Sequence, residues 1–155
     1  MSIENDIAFF ERVPTLRLLG RDALRVLAIG AESRYLDDGE VLFYAGDASD
    51  GGYVIQEGSI GLKPSIPADA REITVEPGML VGELALLAET VRPATAIARE
   101  PSAVIRISRS LFLKMLESFP DAAGKLRDQL AARAAQAAKE IGNVRAKLDT
   151  SEAAR

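Results

Sequence analysis

Between residues 33 and 108 the sequence is cut into short apolar runs by glycine-bearing turns, and few folds tolerate that pattern. The runs fall at 41–44, 53–55, 60–62, 73–75 and 103–107, and none is long enough to be a core helix. Asp38-Gly39, Gly46-Asp47, Gly51-Gly52, Glu57-Gly58 and Pro77-Gly78 separate them. Glycine supplies the positive φ that tight turns demand. Many short strands at near-regular spacing, punctuated in this way, predict an antiparallel sandwich or barrel.

The two flanks read as helical. Across 3–30, Ile7, Phe10, Leu16, Leu19, Leu24, Leu27 and Ala28 recur mainly at three- and four-residue steps, interrupted by Pro14 and Gly20. Two or three short helices fit better than one long one. Beyond Ser108 a short helix over 111–119 is followed by Pro120, placed where the first turn of a second helix begins. That helix is predicted over 121–149, with Gly124 and Gly142 as weak points and a polar, frayed end at 150–155. Its apolar seam of Leu130, Ala134, Ala137, Ile141, Val144 and Leu148 follows an a/d heptad register, which predicts a homodimer through 121–149. The competing reading is a helix packed back on its own domain.

What the chain lacks removes whole classes of chemistry. It has no Cys and no His. That excludes disulfides, Cys- or His-bearing zinc sites, thiol nucleophiles, Ser-His-Asp triads, His-ligated haem and iron–sulfur clusters. Asp37-Asp38-Gly39-Glu40 reads as a solvated turn and not a metal site, because no further ligands converge on it. The net charge of −4 and pI near 5.0 argue against a basic face for nucleic acid. No segment reads as a membrane span or a signal peptide, so the expected location is cytoplasmic.

One loop carries chemistry. A strand ends near Val81, Gly82 allows close backbone approach, and 83–87 has strong helix propensity. Free amides at the first turn of such a helix favour an anion. Arg92 follows within reach and offers a guanidinium in fork geometry. Glu83 cannot take a phosphate but can accept hydrogen bonds from hydroxyls. A ligand with one phosphate charge beside a hydroxyl would satisfy both residues. Spacing alone leaves an alternative open, a simple salt bridge between Glu83 and Arg92.

The segment Gly82-Glu83-Leu84-Ala85-Leu86-Leu87, then Arg92, then Ala94-Thr95-Ala96, resembles the phosphate-binding cassette of cyclic-nucleotide-binding domains. The stretches 41–47 and 53–58 resemble the β-roll signature of that family, and 120–144 is similar to the long dimer helix of its bacterial catabolite-activator-type members. The resemblance implies a single α+β domain over 1–155. It would comprise N-terminal helices (1–32), an antiparallel, jelly-roll-like β-roll (33–108) with its cassette at 82–95, and C-terminal helices (109–149). It implies that Glu83 accepts a ribose 2′-hydroxyl and that Arg92 pairs with a cyclic phosphate. Gly82, amides near Leu84 and Ala85, and the backbone at Pro93 and Ala94 would complete the cassette. Leu62, Ile73 and Leu80 would line the apolar side, unless they are plain core. Arg133 would lie near the ligand, unless it is a solvated helix-surface residue.

The resemblance also marks departures. Pro93 stands where relatives carry Ala, Ser or Thr, so an amide donor and any hydroxyl are missing. The missing hydroxyl leans weakly toward cyclic AMP over cyclic GMP. Ala137 and Ala138 replace hydroxyl residues that would face the base, Phe43 is larger than usual, and Gly52 interrupts an apolar strand. No helix-turn-helix domain is expected within residues 1–155. The chain therefore reads as a sensor without a catalytic centre or cofactor, signalling to an effector protein through its C-terminal helix. A ligand-free β-roll interaction module is the alternative. A phosphodiester hydrolase using Glu83 as base would lack a second convergent acid.

Overall fold

The structure, a computed structural model, describes residues 2–153, with side chains for 2–136 and Lys139. Three helices come first: α1 (Ile3–Glu11), α2 (Pro14–Arg17) and α3 (Arg21–Gly30). Ser2 caps α1 by accepting from the Asn5 amide at 3.1 Å, and Pro14 opens α2 at the position where its missing N–H costs nothing. Eight strands follow: β1 (Glu32–Leu36), β2 (Val41–Phe43), β3 (Gly51–Glu57), β4 (Ile60–Pro64), β5 (Ile73–Val75), β6 (Leu80–Val81), β7 (Ala94–Ala98) and β8 (Ser102–Ser108). A 3-10 turn at Leu84–Leu86 separates β6 from β7, and α4 (Arg109–Ser118) and α5 (Pro120–Ala153) close the chain.

The strands form two four-stranded antiparallel sheets, ordered β1-β8-β3-β6 and β2-β7-β4-β5. Together with the flanking helices this is the α+β antiparallel β-roll read from the sequence. Two apolar clusters hold it. One lies between the sheets and includes Leu42, Phe43, Tyr53, Ile55, Ile60, Ala96 and Val104. The other lies between the β1-β8-β3-β6 sheet and the helices, and includes Phe10, Leu16, Leu24, Leu27, Val54, Ile105, Ile107 and Phe112. Successive side chains of a strand point to opposite faces. Tyr53 and Ile55 therefore enter the roll while Val54 turns to the helices. That explains why residues 51–55 are buried without a break.

Two strands were not foreseen. β1 (Glu-Ser-Arg-Tyr-Leu) is exposed at all but its last residue, as an edge strand can be, so it shows no apolar alternation. β7 (Ala-Thr-Ala-Ile-Ala) is built from alanines of low β propensity, yet it sits centrally between β2 and β4. Small side chains let it pack where larger ones would not fit, and Ala96 and Ala98 are fully buried. At the C-terminus α5 starts at Pro120 and reaches Ala153, past the predicted 149. The seam residues Ala137, Ile141, Val144 and Leu148, and the base-facing position Ala138, lie outside the described side chains. Of the end at 150–155, the last two residues lie outside the described residues.

Candidate functional site

β6 runs out at Gly82, whose φ of +85° lies in the left-handed region that L side chains avoid. A Cβ there would stand 2.6 Å from Arg92 Nη1 and 3.1 Å from the Gly51 carbonyl oxygen. Glycine at 82 is thus favoured by conformation, and a side chain there would also crowd the Arg92 guanidinium and the Gly51 carbonyl. Gly52 has a related reason to exist, since its Cβ would stand 3.0 Å from the Val81 carbonyl oxygen and 3.2 Å from that of Gly82. The interruption of an apolar strand noted in the sequence is the place where β3 lets the loop backbone come close.

After Gly82 the chain makes a single 3-10 turn, not the helix predicted over 83–87. The Ala85 amide donates to Gly82 O at 3.1 Å and the Leu86 amide to Glu83 O at 3.2 Å. The Ala85 amide, expected to be open for an anion, already has a partner. The difference is physical: Ala85 and Leu86 are drawn into the core beneath Leu84, which stops the helix after one turn. Arg109 pins the turn from below, its Nε donating to Ala85 O at 2.9 Å and its Nη2 to Ser49 O at 2.7 Å. A cation in the first turn of α4 opposes the helix dipole. These two carbonyl contacts are what it gains in return.

Arg92 is held by its own backbone first. Its N–H donates to Asp47 O at 2.8 Å, and its carbonyl accepts from the Gly46 amide at 2.8 Å. The side chain is 5% exposed. Its Nη2 donates to Gly51 O at 2.8 Å, and its guanidinium carbon lies 4.3 Å from the Phe43 ring centroid and 5.7 Å from that of Tyr53. The enlarged residue at 43 is therefore a face for the guanidinium to lie on. No carboxylate among the described residues lies within ion-pair distance of Arg92. Burial lowers its pKa, with Tyr53 and Asp50 acting the other way, and a guanidinium so placed remains charged.

Glu83 does not pair with Arg92. Its Oε1 accepts from Thr15 Oγ1 at 2.9 Å and from Arg133 Nη1, which forms an ion pair with it. Arg133 Nη2 also donates to Thr15 Oγ1, at 3.1 Å. The Glu83–Arg92 salt bridge left open by the sequence is not made; Glu83 pairs with Arg133 on α5 instead. Thr15 and Arg109 were not singled out from the sequence. A small buried hydroxyl on a four-residue helix and a basic residue after a capping serine are each too common to signal a role.

These residues surround a cavity of about 490 Å³, within the usual range for small-ligand sites. Gly82, Glu83, Leu84, Ala85 and Arg92 form one side of it. Pro93, Ala94, Leu62 and Leu80 are also in its lining, with Phe43 and Val91. Ile73 is not. It is 57% exposed at the open end of edge strand β5, where only Val75 turns inward, which corrects its expected place on the apolar wall. Arg133 is likewise absent from the lining and reaches the site only through Glu83 and Thr15. No group of His, Cys, Asp or Glu suited to a metal ion occurs among the described residues.

Residues 33–119, which include the glycine, the carboxylate and the buried guanidinium of this cavity, match the family model of the cyclic nucleotide-binding domain. The chain belongs to the cyclic-nucleotide-binding domain family. It is 30% identical over 112 residues to the cyclic AMP receptor protein of Thermus thermophilus, matching over 71% of this chain and 52% of that protein. It is 31% identical over 114 residues to a cGMP-dependent protein kinase of Caenorhabditis briggsae, of which it spans 15%. The chain thus spans about half the length, or less, of these relatives. Among solved structures, a cyclic nucleotide-binding-like protein from Brucella abortus is 39% identical, with a TM-score of 0.65 over 72% of this chain and 97% of that one. The N-terminal domain of a transcriptional regulator from Streptomyces coelicolor is 27% identical, with a TM-score of 0.77 over 86% and 94%. As a member of this family the chain carries a regulatory ligand-binding domain. No helix among the described residues is long and apolar enough to cross a membrane.

Proposed function

We propose that this cyclic-nucleotide-binding domain takes a cyclic nucleoside monophosphate in the cavity over Arg92 and signals occupancy through α5 to a partner protein. The observation that carries the reading is Arg92: a guanidinium 5% exposed, with no carboxylate partner among the described residues, facing a cavity. A buried charge is costly unless something compensates it, and a bound phosphate would. Glu83 sits in the same wall and suits a ribose hydroxyl. Its ion pair to Arg133 gives ligand binding a route to the long helix. A ligand favouring one arrangement of that contact shifts the population of helix positions, and no reaction is needed. Cyclic AMP is the preferred ligand of this reading, since Pro93 offers no hydroxyl to a guanine.

Titration calorimetry with cyclic AMP and cyclic GMP tests it directly. Saturable heat with either, abolished in Arg92→Ala, supports the reading. Silence at millimolar ligand sinks it. The second reading, a ligand-free interaction module, is favoured by Pro93 and by the engaged Ala85 amide, which leave the cavity fewer donors. A partner captured equally well with and without nucleotide would decide for it. Pairing of α5 into a dimer is a separate proposal, checked by sedimentation of wild type against Ile141→Glu.

A further inference from the structure

We propose that Thr15 is a positioning residue for the ligand hydroxyl: it pins one oxygen of Glu83 so that the other is free for the cavity. The inference rests on the reading of the cavity given above. Thr15 lies on α2, a helix of four residues, and is 4% exposed. A hydroxyl buried to that degree needs partners, and it has two. An ionised carboxylate only accepts and a guanidinium only donates, so the direction of each bond is fixed. Thr15 Oγ1 donates to Glu83 Oε1 at 2.9 Å and accepts from Arg133 Nη2 at 3.1 Å.

With Arg133 Nη1 also on Oε1, that oxygen has two donors. Oε2 has none among the described residues, and Glu83 stands in the cavity lining. The division matters because a carboxylate that can swing offers a hydroxyl no fixed acceptor, whereas a pinned one is ready before the ligand arrives. Arg133 alone cannot do the pinning, since its side chain is long and 48% exposed. Thr15 is short, buried and stiff at χ1. It also belongs to the segment carrying Leu16, which is part of the helical core cluster. Hydroxyl recognition is thereby tied to the N-terminal helices as well as to α5.

The experiment compares affinities of wild type, Thr15→Ser and Thr15→Val for cyclic AMP and its 2′-deoxy analogue. Wild type prefers the hydroxyl-bearing nucleotide by about tenfold or more, the worth of a hydrogen bond to a charged group. Thr15→Val brings that ratio down several-fold, to about unity at the limit, by weakening cyclic AMP alone, and Thr15→Ser keeps it. A merely structural threonine would weaken both nucleotides together and leave the ratio unchanged, which overturns the proposal. A ligand-free arm uses a double-mutant cycle of Thr15→Val with Glu83→Gln in chemical unfolding. Non-additive shifts of the midpoint support the clamp, and additive ones remove it. Wild-type protein that binds neither nucleotide would overturn the underlying reading and the hydroxyl role with it, a result distinct from binding with an unchanged ratio.

Discussion

Gly82 and Arg92 are fitted to each other: a methyl group at 82 would stand 2.6 Å from the Arg92 Nη1 atom. The backbone at 82, with φ of +85°, already disfavours any side chain. Gly82→Ala is therefore expected to cost about 1–3 kcal/mol of stability through backbone strain. It should also move the guanidinium, so nucleotide affinity falls even at temperatures where the variant is fully folded. Unfolding curves and calorimetry on the same preparation check both parts.

Removing the charge at 92 separates function from stability. Arg92→Met keeps much of the volume over Phe43 but deletes a buried guanidinium that has no carboxylate partner among the described residues. A buried charge with no ion-pair partner carries a desolvation cost, which an apolar side chain of similar size removes. The variant also takes the Arg92 donor from the Gly51 carbonyl oxygen, and the two effects oppose. The unliganded variant should therefore stay within about 1 kcal/mol of wild type in chemical denaturation, while nucleotide binding disappears. A variant that both unfolds earlier and still binds would contradict the role given to Arg92.

Pro93 stands in the cavity lining and has no amide N–H to donate. Pro93→Ala restores an amide beside Arg92, and a hydrogen bond to a charged phosphate is worth about 1.5–3 kcal/mol. Affinity for cyclic nucleotide should rise by about one to two orders of magnitude. Pro93→Ser adds a hydroxyl as well and should raise affinity for cyclic GMP more than for cyclic AMP. Competition binding with both nucleotides measures the two effects.

The pH dependence of folding has a marker far from the cavity. Asp6 on α1 has one buried carboxylate oxygen with no hydrogen-bond partner among the described residues, and burial raises its pKa above the ordinary value. The folded state therefore holds this proton more tightly than the unfolded chain. Its contribution favours folding below the unfolded pKa and is lost as pH rises through the folded one. Asp6→Asn, which does not titrate, should gain stability relative to wild type as pH is raised from 4 to 7. Paired unfolding curves at several pH values read that trend.

The sequence made the roll legible because glycine turns and short apolar runs are local signals. The glycines at 39, 46, 58, 78 and 82 all adopt positive φ, as such turns require. What it hid depends on contacts across long sequence separations. β7 is a strand because β2 and β4 flank it, not because alanine prefers strands. The cassette's residue types were visible, but the choice of partner for Glu83 was not. Arg92 lies nine positions from it and Arg133 fifty, yet the helix-borne one takes it because Arg92 is drawn under the loop to Gly51 and Phe43. Ile73 shows the reverse failure: an apolar residue in a strand near the site was assigned to the wall, and its edge position left it in solvent.

The cavity lining contains one guanidinium and one carboxylate, Arg92 and Glu83. Such a wall counts charges. A cyclic phosphodiester brings one negative charge, which Arg92 would balance. An open-chain phosphate monoester brings nearly two at neutral pH, and the second charge meets no further cation in a mostly apolar lining, Arg133 lying outside it and already paired with Glu83. The same arrangement that is proposed to recognise a cyclic nucleotide would thus turn away linear mononucleotides bearing the same base and sugar, by charge balance alone.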